Sequence, residues 1–388
     1  MTGWLYAPLG DVCDVVAGGT PSRKNPKYFG GDIPWVKISD MLQGTITYTE
    51  ETITKAGIQN SSAKILPSGT VLISIFATIG RTALLGIDAA TNQAIVGVIP
   101  KSSQLNTRFL RYYLDNSVSE LIKEARGVAQ VNINSKILKS LKIPLPPLTE
   151  QERIVCLLDE AEELRKLRDQ ASERMEEFVP ALFHEMFGDP TKNTKTWQVL
   201  RFGEICESRL GKMLDEKQQS GLHLRPYLRN QNVQWGKVDV SNMAQMDFDE
   251  KDREIFRLRE GDLLICEGGE VGRTAIWHKE LPECYFQKAV HRARANLNIV
   301  LPEFILWTMY ALSKSGGFAD FTSQSTIAHL TGVKLKQLPI PVPPLALQYE
   351  FAQRVQEARE IQSRQAQSAE RIDALYQSML SKAFAGEL

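Results

Sequence analysis

The sequence predicts a mixed α/β (α+β) tandem repeat, in which two similar globular domains are separated by two long antiparallel helices. Three observations predict it: the chain resembles itself, each copy ends in the same proline-rich segment, and a heptad-like apolar stripe follows each copy. At 388 residues with 43% hydrophobic content, the chain is long enough for two or three folded domains. The predicted domains are residues 1–148, 149–187 (the central helix), 188–344 and 345–388 (the C-terminal helix).

The repeat is clearest around a shared Gly-Arg pair. Residues 67–86 (PSGTVLISIFATIGRTALLG) match residues 259–278 (REGDLLICEGGEVGRTAIWH), so Gly80-Arg81 corresponds to Gly272-Arg273 at a spacing of 192. Further matches are PWVK (34–37) with PYLR (226–229) at 192, LGD (9–11) with FGE (202–204) at 193, and LKIPLPPL (141–148) with LPIPVPPL (338–345) at 197. Because the spacing drifts by only five residues, both copies should share one fold.

Each copy predicts the same order of elements. Short strands separated by Gly and Pro come first, followed by a paired strand unit around VLISI or DLLIC. A helix follows, FLRYYLDNSVSELIKEA or EFILWTMYALSKS, and then a short helix capped by Asn134 or Thr331. The prolines beyond it should break regular structure and give each domain a stiff exit: Pro144, Pro146 and Pro147, and Pro339, Pro341, Pro343 and Pro344.

After the prolines, apolar residues recur at three- and four-residue steps. The predicted helix-pairing residues are Ile154, Leu157, Leu164, Met175, Phe178, Phe351, Ile361, Ile372, Leu375 and Met379. Such a stripe can also pack on a domain's own core, but two stripes of equal length at equivalent points of a repeat favour a coiled coil. Each helix should be roughly 35 residues, or about 50 Å, long, and Pro180 should kink or end the first one.

A two-fold axis between the copies would make the helices antiparallel and place one globular head at each end of a rod. A rod of about 50 Å compares with the ~34 Å of one DNA turn, the spacing at which two-headed readers place their half-sites. The predicted target is therefore two short DNA sequences separated by an unread gap.

Composition restricts the alternatives. Net charge is zero, yet residues 1–148 carry 15 Lys+Arg against 10 Asp+Glu, residues 188–344 carry 21 against 19, and the helical segments carry 10 against 17. A neutral total can thus hide basic faces.

No stretch has the ~20 apolar residues of a membrane span and no signal peptide begins the chain, which predicts a cytoplasmic protein. The five cysteines form no C-x-x-C pair and are expected to be buried free thiols.

Two kinds of DNA-contact candidate follow. Arg81 and Arg273 offer a planar fork beside a glycine, although the glycine could simply form a hairpin turn and the arginine brace the fold, or both heads could share a phosphate contact. Base-specific residues should lie where the copies differ, in residues 20–30 and 209–225, although ordinary solvated loops explain these segments as well. The full candidate set is Arg23, Lys24, Lys27, Lys37, Arg81, Gln130, Asn132, Lys212, Lys217, Gln218, Gln219, Arg229, Arg273, Thr326 and His329.

Catalytic signatures are absent from the sequence. It contains no [N/D/S]-P-P-[Y/F/W] methyltransferase motif, no G-x-x-x-x-G-K-[ST] phosphate loop, no H-E-x-x-H and no Cys/His cluster. The sequence therefore predicts no catalytic or metal site and no cofactor bound by this chain.

Together these features resemble the specificity (S) subunit of type I restriction-modification systems. The resemblance rests on TPSRKNPKYFGGDIPWVKISDM in the first copy, RPYLRNQNVQWGK in the second and the two I-P-[LV]-P-P-L exits, and it covers essentially the whole chain. It implies a non-catalytic subunit whose heads are target-recognition domains, each reading half of a bipartite DNA site.

The resemblance also implies partners. The helices would set the spacer and dock two modification (methyltransferase) subunits that use S-adenosylmethionine, and restriction subunits that use ATP and Mg²⁺ could join them. The first helix opens in family style with Thr149-Glu150-Gln151-Glu152, whereas the second retains only Gln348. The alternatives are a coiled-coil adaptor whose heads bind protein, and a nuclease or single-chain methyltransferase with diverged motifs.

Overall fold

A computed structural model describes residues 3–76, 78–125, 133–213, 220–321 and 329–388. The chain divides into two compact units. The first unit comprises Met1–Asp169 and Gln367–Leu388, and the second comprises Gln170–Ala366. Each unit therefore combines one globular head with a segment of both long helices.

The first head is a mixed α/β domain that leads into the first long helix. Its strands are β1 (Leu5–Pro8), β2 (Cys13–Ala17), β3 (Phe29–Val36), β4 (Thr45–Ile46), β5 (Glu51–Ile53), β6 (Ile65–Leu66), β7 (Val71–Ser74), β8 (Thr82–Leu85), β9 (Ala89–Thr91), β10 (Ile95–Pro100) and β11 (Lys142–Leu145). Its helices are α1 (Leu9–Val12), α2 (Lys55–Gln59), α3 (Thr107–Ala125) and α4 (Ser135–Ser140), and the long helix is α5 (Leu148–Phe187).

The second head repeats most of this order, but it has four strands rather than three between β13 and its short helix α7, and no strand between α7 and β18. Its strands are β12 (Gln198–Arg201), β13 (Cys206–Leu210), β14 (Leu224–Leu228), β15 (Val233–Gln234), β16 (Lys237–Val238), β17 (Ala244–Asp247), β18 (Leu263–Cys266), β19 (Thr274–Ile276), β20 (Tyr285–Phe286), β21 (Val290–Ala295) and β22 (Pro339–Val342). Its helices are α6 (Phe202–Ile205), α7 (Glu250–Phe256), α8 (Pro302–Lys314) and α9 (Gly332–Gln337), and the long helix is α10 (Leu345–Ala385).

The sheets confirm the tandem repeat. The main sheet has the order β2-β10-β7-β8-β4 in the first head and β13-β21-β18-β19 in the second, with equivalent strands in equivalent places. A second sheet, β5-β3-β9-β6 or β17-β14-β20, contains one parallel pair in each head, β3 with β9 and β14 with β20. The mixed α/β fold class predicted from the sequence is therefore confirmed.

The proline-rich exits are more regular than predicted. Pro144 lies inside β11, and Pro339 and Pro341 lie inside β22, each in a two-stranded sheet with the first strand of its head. A strand with a partner on one side only tolerates proline, because the missing N–H can face away from the ladder. The expectation that these prolines break regular structure was wrong for these three positions, although α5 and α10 do begin directly after Pro147 and Pro344.

The predicted helix caps are present. The Asn134 side chain accepts hydrogen bonds from the N–H groups of Lys136 and Ile137, both at 2.9 Å, and Thr331 accepts one from Lys334. These contacts satisfy N–H groups that the first turn of a helix otherwise leaves unpaired. Both short helices therefore start where the sequence indicates.

The two long helices are continuous and run antiparallel within each unit. They span 40 and 41 residues, and α5 continues past Pro180 to Phe187, so the proline does not end it. In the first unit, Arg153 donates to the Leu388 carbonyl at 2.7 Å and Arg165 pairs with Asp373 at 2.6 Å. In the second unit, Gln362 donates to the Met175 carbonyl at 3.2 Å.

The predicted register of the helix pairing is wrong at four positions. Leu164, Phe178, Ile361 and Leu375 are 56%, 46%, 45% and 57% exposed. Ile154 and Phe351 are fully buried, and Leu157, Met175, Ile372 and Met379 are half-buried. Other apolar residues are buried on the helices instead: Val155, Leu158, Ala161, Val355, Ala358, Tyr376 and Leu380. The reason is that each helix packs on the core of a head as well as on the other helix, which turns a different face inward.

The thiols also differ from expectation. Cys13, Cys206, Cys266 and Cys284 are buried, and burial raises the pKa of Cys13 and of Cys206 to about 12. Cys156, on the outer face of α5, is exposed, so the expectation of burial was wrong there. No helix among the described residues combines the length and the apolar character that crossing a bilayer requires.

One buried glutamine joins each head to the start of its long helix. Gln151 accepts a hydrogen bond from the Asn106 N–H at 2.8 Å and donates to the carbonyls of Gln104 and Pro146, both at 2.9 Å. Gln348 makes the equivalent bonds with Leu301 N–H (2.9 Å) and with the carbonyls of Ile299 (3.0 Å) and Pro343 (2.8 Å). Each side chain thus ties together the turn before the head's main helix, the proline exit and the long helix.

Replacing this glutamine should destabilise the fold. Gln151→Ala leaves one N–H and two carbonyls without their partner in a buried place, so we expect the free energy of unfolding to fall by about 2 to 4 kcal/mol. Urea unfolding of the full chain, followed by circular dichroism, measures the loss. The matched control is Glu152→Ala at the adjacent exposed position, which should change it by less than about 0.5 kcal/mol. Equal effects of the two variants would contradict this assignment.

Candidate nucleic-acid interface

The loops that differ between the copies leave the main sheet at equivalent points. The first follows β2 and begins at Gly18, and the second follows β13 and begins at Gly211. A Cβ atom on Gly18 would lie 2.1 Å from the Asn92 carbonyl oxygen, and one on Gly211 would lie 2.3 Å from that of Gln287. Only glycine allows this close approach of two backbones, so the start of each loop is fixed against the sheet.

In the first head, this loop forms an exposed basic edge. Lys24 and Lys27 are exposed, and the Thr54 hydroxyl donates to the Lys27 carbonyl at 3.0 Å, which brings Lys55 beside them. In the described part of the chain, none of these three lysines forms an ion pair. We call Lys24, Lys27 and Lys55 the basic edge. Lys24 and Lys27 precede β3, and Lys55 follows β5, which is an outer strand of the second sheet. All three side chains are exposed, so solvent and a charged partner can both reach them.

Two other predicted cations of the first head brace the fold. Arg23 pairs with Glu51 at 2.7 Å, and its guanidinium lies 4.5 Å from the Phe29 ring centroid. Lys37 pairs with Glu50 at 2.8 Å and with Glu51 at 3.1 Å, and these hydrogen bonds raise the pKa of Lys37. Their charges are therefore largely matched by carboxylates of the neighbouring strand.

In the second head, Lys212 also braces the fold. Its ammonium group donates to the Asp247 carbonyl at 2.6 Å and to the Asp252 carboxylate at 2.5 Å. It also lies 5.1 Å from the Phe248 ring centroid. Arg229 donates to the Asn242 carbonyl at 3.2 Å, so it is likewise held by its own head.

The Gly-Arg pairs form hairpin turns that press against the following helical segment. Gly80 and Gly272 have φ of 84° and 77°, and a Cβ there would lie 2.3 Å from a Val118 methyl or 2.4 Å from the Phe318 ring. The arginines then differ. Arg273 donates to the Asn230 carbonyl at 2.9 Å and lies 3.6 Å from Glu270. Arg81 is half-buried, and its guanidinium makes no hydrogen bond or ion pair to any described residue.

The remaining predicted contacts are His329 and six residues outside the described part of the chain. His329 is described and exposed. Six candidates lie outside the described residues: Gln130, Asn132, Lys217, Gln218, Gln219 and Thr326. The far end of the second loop is nevertheless anchored, because Asp247 accepts hydrogen bonds from the N–H groups of Gly221 (2.7 Å) and His223 (2.8 Å).

The second head also contains a charged cleft that was not predicted from the sequence. It measures about 630 Å³, and its cations are Arg253, Arg257, Arg259 and Lys279. Three glutamates, Glu250, Glu254 and Glu260, line the same cleft, so its charges nearly balance. Arg253 also lies 3.5 Å from Glu283. The available signal was KDREIFRLRE, which places two arginines one helical turn apart at the end of α7. These arginines lie outside the loops that differ between the copies, where base-specific residues were expected. Among the described residues, no cluster of three His, Cys, Asp or Glu side chains suits a metal ion.

Replacing the two hairpin arginines should change the free energy of unfolding by different amounts. Arg273→Ala leaves the Asn230 carbonyl without its charged donor, so we expect the free energy of unfolding to fall by about 1 to 3 kcal/mol. Arg81→Ala is the matched control and should change it by less than about 0.5 kcal/mol. Thermal or urea unfolding of both variants measures the difference, and a larger loss in Arg81→Ala would contradict the bracing role of Arg273.

Comparison with known proteins gives a consistent picture. A family model described as the type I restriction modification DNA specificity domain matches residues 1–176 and 194–372, once for each copy. The MjaIX specificity subunit of a type I restriction enzyme from Methanocaldococcus jannaschii is 26% identical over 287 residues, which cover 69% of this chain and 66% of that protein, just under two thirds. The EcoKI specificity subunit from Escherichia coli K12 is 23% identical over 423 residues, covering 100% and 89%.

The fold itself has a solved counterpart. A chain from a study of complex assembly and conformational transition in a type I R-M system superposes with a TM-score of 0.68 at 22% identity, covering 100% of this chain and 99% of that one. At this identity, the likeness establishes the shared fold.

Proposed function

Since the chain belongs to the family of type I restriction-modification DNA specificity proteins, we propose that it reads a bipartite DNA site, with one half-site for each head. The prediction of a non-catalytic specificity subunit is confirmed by this membership. The observation that carries the proposal of two half-sites is the duplication itself: both heads have the same sheet framework and differ in the loops after β2 and β13. A shared framework cannot distinguish two sequences, so the differing loops carry the specificity.

In the first head, we assign phosphate contacts to the basic edge. Exposed lysines without carboxylate partners can exchange their counterions for DNA phosphates, whereas Arg23 and Lys37 would first have to leave Glu51. Arg81 is a further candidate for a phosphate contact in this head, because its guanidinium has no hydrogen-bond or ion-pair partner among the described residues. In the second head, we assign phosphate contacts to Arg259 and Lys279, which line the charged cleft. Because the proposed ligand is duplex DNA, we also propose that the protein is cytoplasmic.

The exposed apolar residues of the long helices support docking of protein partners. Leu164, Leu167 and Leu375 in the first unit are each more than half exposed. In the second unit, Phe178 and Ile361 are 46% and 45% exposed. Exposed apolar side chains on a helix are available for contact with a protein partner, which would bury their surface. We propose that they receive two modification subunits, which bring S-adenosylmethionine, and that restriction subunits using ATP and Mg²⁺ join them, so that this chain itself binds no cofactor.

A charge-matched pair of variants tests the DNA assignment. The triple variant Lys24→Ala, Lys27→Ala, Lys55→Ala removes the basic edge. We expect its affinity for cognate duplex to fall at least about tenfold, and the slope of log K against log salt to become shallower by about 2 to 3. Filter binding of the full chain with its modification subunits, across a salt series, measures both quantities.

The control removes three lysines elsewhere on the same head: Lys136→Ala, Lys139→Ala, Lys142→Ala. These exposed residues lie on α4 and β11. Helix α4 packs on α1, which comes just before β2, whereas the loop leading to the basic edge comes just after β2. The two sets of lysines therefore lie toward opposite ends of β2. The control should retain the wild-type affinity and slope. Equal losses in both variants would refute the basic edge as the contact, and a wild-type complex without salt-dependent DNA affinity would favour the protein-binding adaptor instead.

A further inference from the structure

Ion pairs join the first head to α5. Arg108 pairs with Asp159 at 2.8 Å, Arg111 forms a two-pronged pair with Glu162, and the Tyr112 hydroxyl donates to Asp159 at 2.7 Å. Arg111 is buried. Burial raises the pKa of Glu162, but the hydrogen bonds from Arg111 outweigh this and hold it below its ordinary value. In the first unit, the cations therefore lie on the head and the carboxylates on the long helix.

The second unit joins its head to α10 with the opposite polarity. Glu303 on α8 accepts two hydrogen bonds from the Arg359 guanidinium, both at 2.9 Å. The Trp307 indole N–H also donates to Glu303, at 2.8 Å. Here the carboxylate lies on the head and the cation lies on the long helix.

The two sets occupy equivalent positions, as the buried glutamines establish. Gln151 accepts from Asn106 and Gln348 accepts from Leu301, so Asn106 corresponds to Leu301 at a spacing of 195. Two residues further along are Arg108 and Glu303. Eleven residues beyond each glutamine are Glu162 and Arg359. At these two positions the charges are therefore reversed between the units. The direct partners differ, because Arg108 pairs with Asp159 and Glu162 pairs with Arg111. The positions equivalent to Asp159 and Arg111 are the uncharged Gln356 and Leu306.

We propose that this reversed polarity matches each head to its own long-helix segment and prevents the heads from exchanging places. A first head docked on α10 would place Arg108 and Arg111 against Arg359, and a second head docked on α5 would place Glu303 against Asp159 and Glu162. Like charges in a partly buried interface repel strongly and leave hydrogen bonds unmade. A head transferred between the two positions, or from another chain, requires the matching charge on the helix. This matching acts in the assembly of the chain itself and is independent of the DNA target.

Single substitutions on the helices reproduce the mismatch without moving a head. Glu162→Arg presents the first head with the cation of α10, and Arg359→Glu presents the second head with a carboxylate as on α5. We expect each to lower the melting temperature of the full chain by roughly 4 to 8 °C. Exposed neighbours serve as matched controls with the same charge change, Glu163→Arg and Arg354→Glu, and each should shift it by less than about 2 °C.

Restoring the opposite charges tests polarity directly. The double variant Glu303→Arg, Arg359→Glu should recover at least half of the melting temperature lost by Arg359→Glu alone, because the pair is rebuilt in reverse. The exposed pair Glu350–Arg354, reversed in the same way, should show no such recovery, since little is lost. Recovery in the first double variant supports the proposal. A double variant no more stable than Arg359→Glu, or controls as destabilising as Glu162→Arg and Arg359→Glu, would overturn it.

Discussion

The rest of the structure depends on the hydrogen bonds of one buried side chain, the glutamine near the start of each long helix. Gln151 and Gln348 each join a turn before the head's main helix, a proline exit and the first turns of α5 or α10. An amide is suited to this place because it donates and accepts at once, so one side chain can satisfy both carbonyls and an N–H group. The same contact made twice fixes how each head meets the helix that follows it.

Around that contact, the two copies conserve a framework and vary what surrounds it. The sheets, the capped short helices and the glycine hairpins recur in both heads. The loops after Gly18 and Gly211, the ion pairs to the long helices and the surroundings of Arg81 and Arg273 do not. Shared chemistry therefore serves folding, and the differences are where two heads with separate targets would need to diverge. Neutral net charge is compatible with DNA binding, because several cations are matched by carboxylates within each head while others remain open to a partner.

The sequence was sufficient for the features that depend on local chemistry. Asn134 and Thr331 are good cap residues wherever they occur, and a repeat at a nearly constant spacing requires a repeated fold. Features that depend on distant residues could not be predicted. Glu50 and Glu51 neutralise Lys37, and Asp252 neutralises Lys212, across strands and loops that no local pattern relates. A heptad analysis assumes one inward face, but α5 and α10 bury residues against a head as well as a helix, which left Leu164 and Leu375 outside. Pro144 does not interrupt regular structure, because β11 pairs with β1 on one side only and the missing N–H can face away from that pair.

If each head reads one half-site, as proposed, the chain should contact DNA at two places separated by a constant distance. Sequencing the methylated sites in a host that carries this chain with its modification subunits tests that claim most directly. We expect a motif of two short specified segments separated by an unspecified gap of one length. A single uninterrupted motif would contradict it.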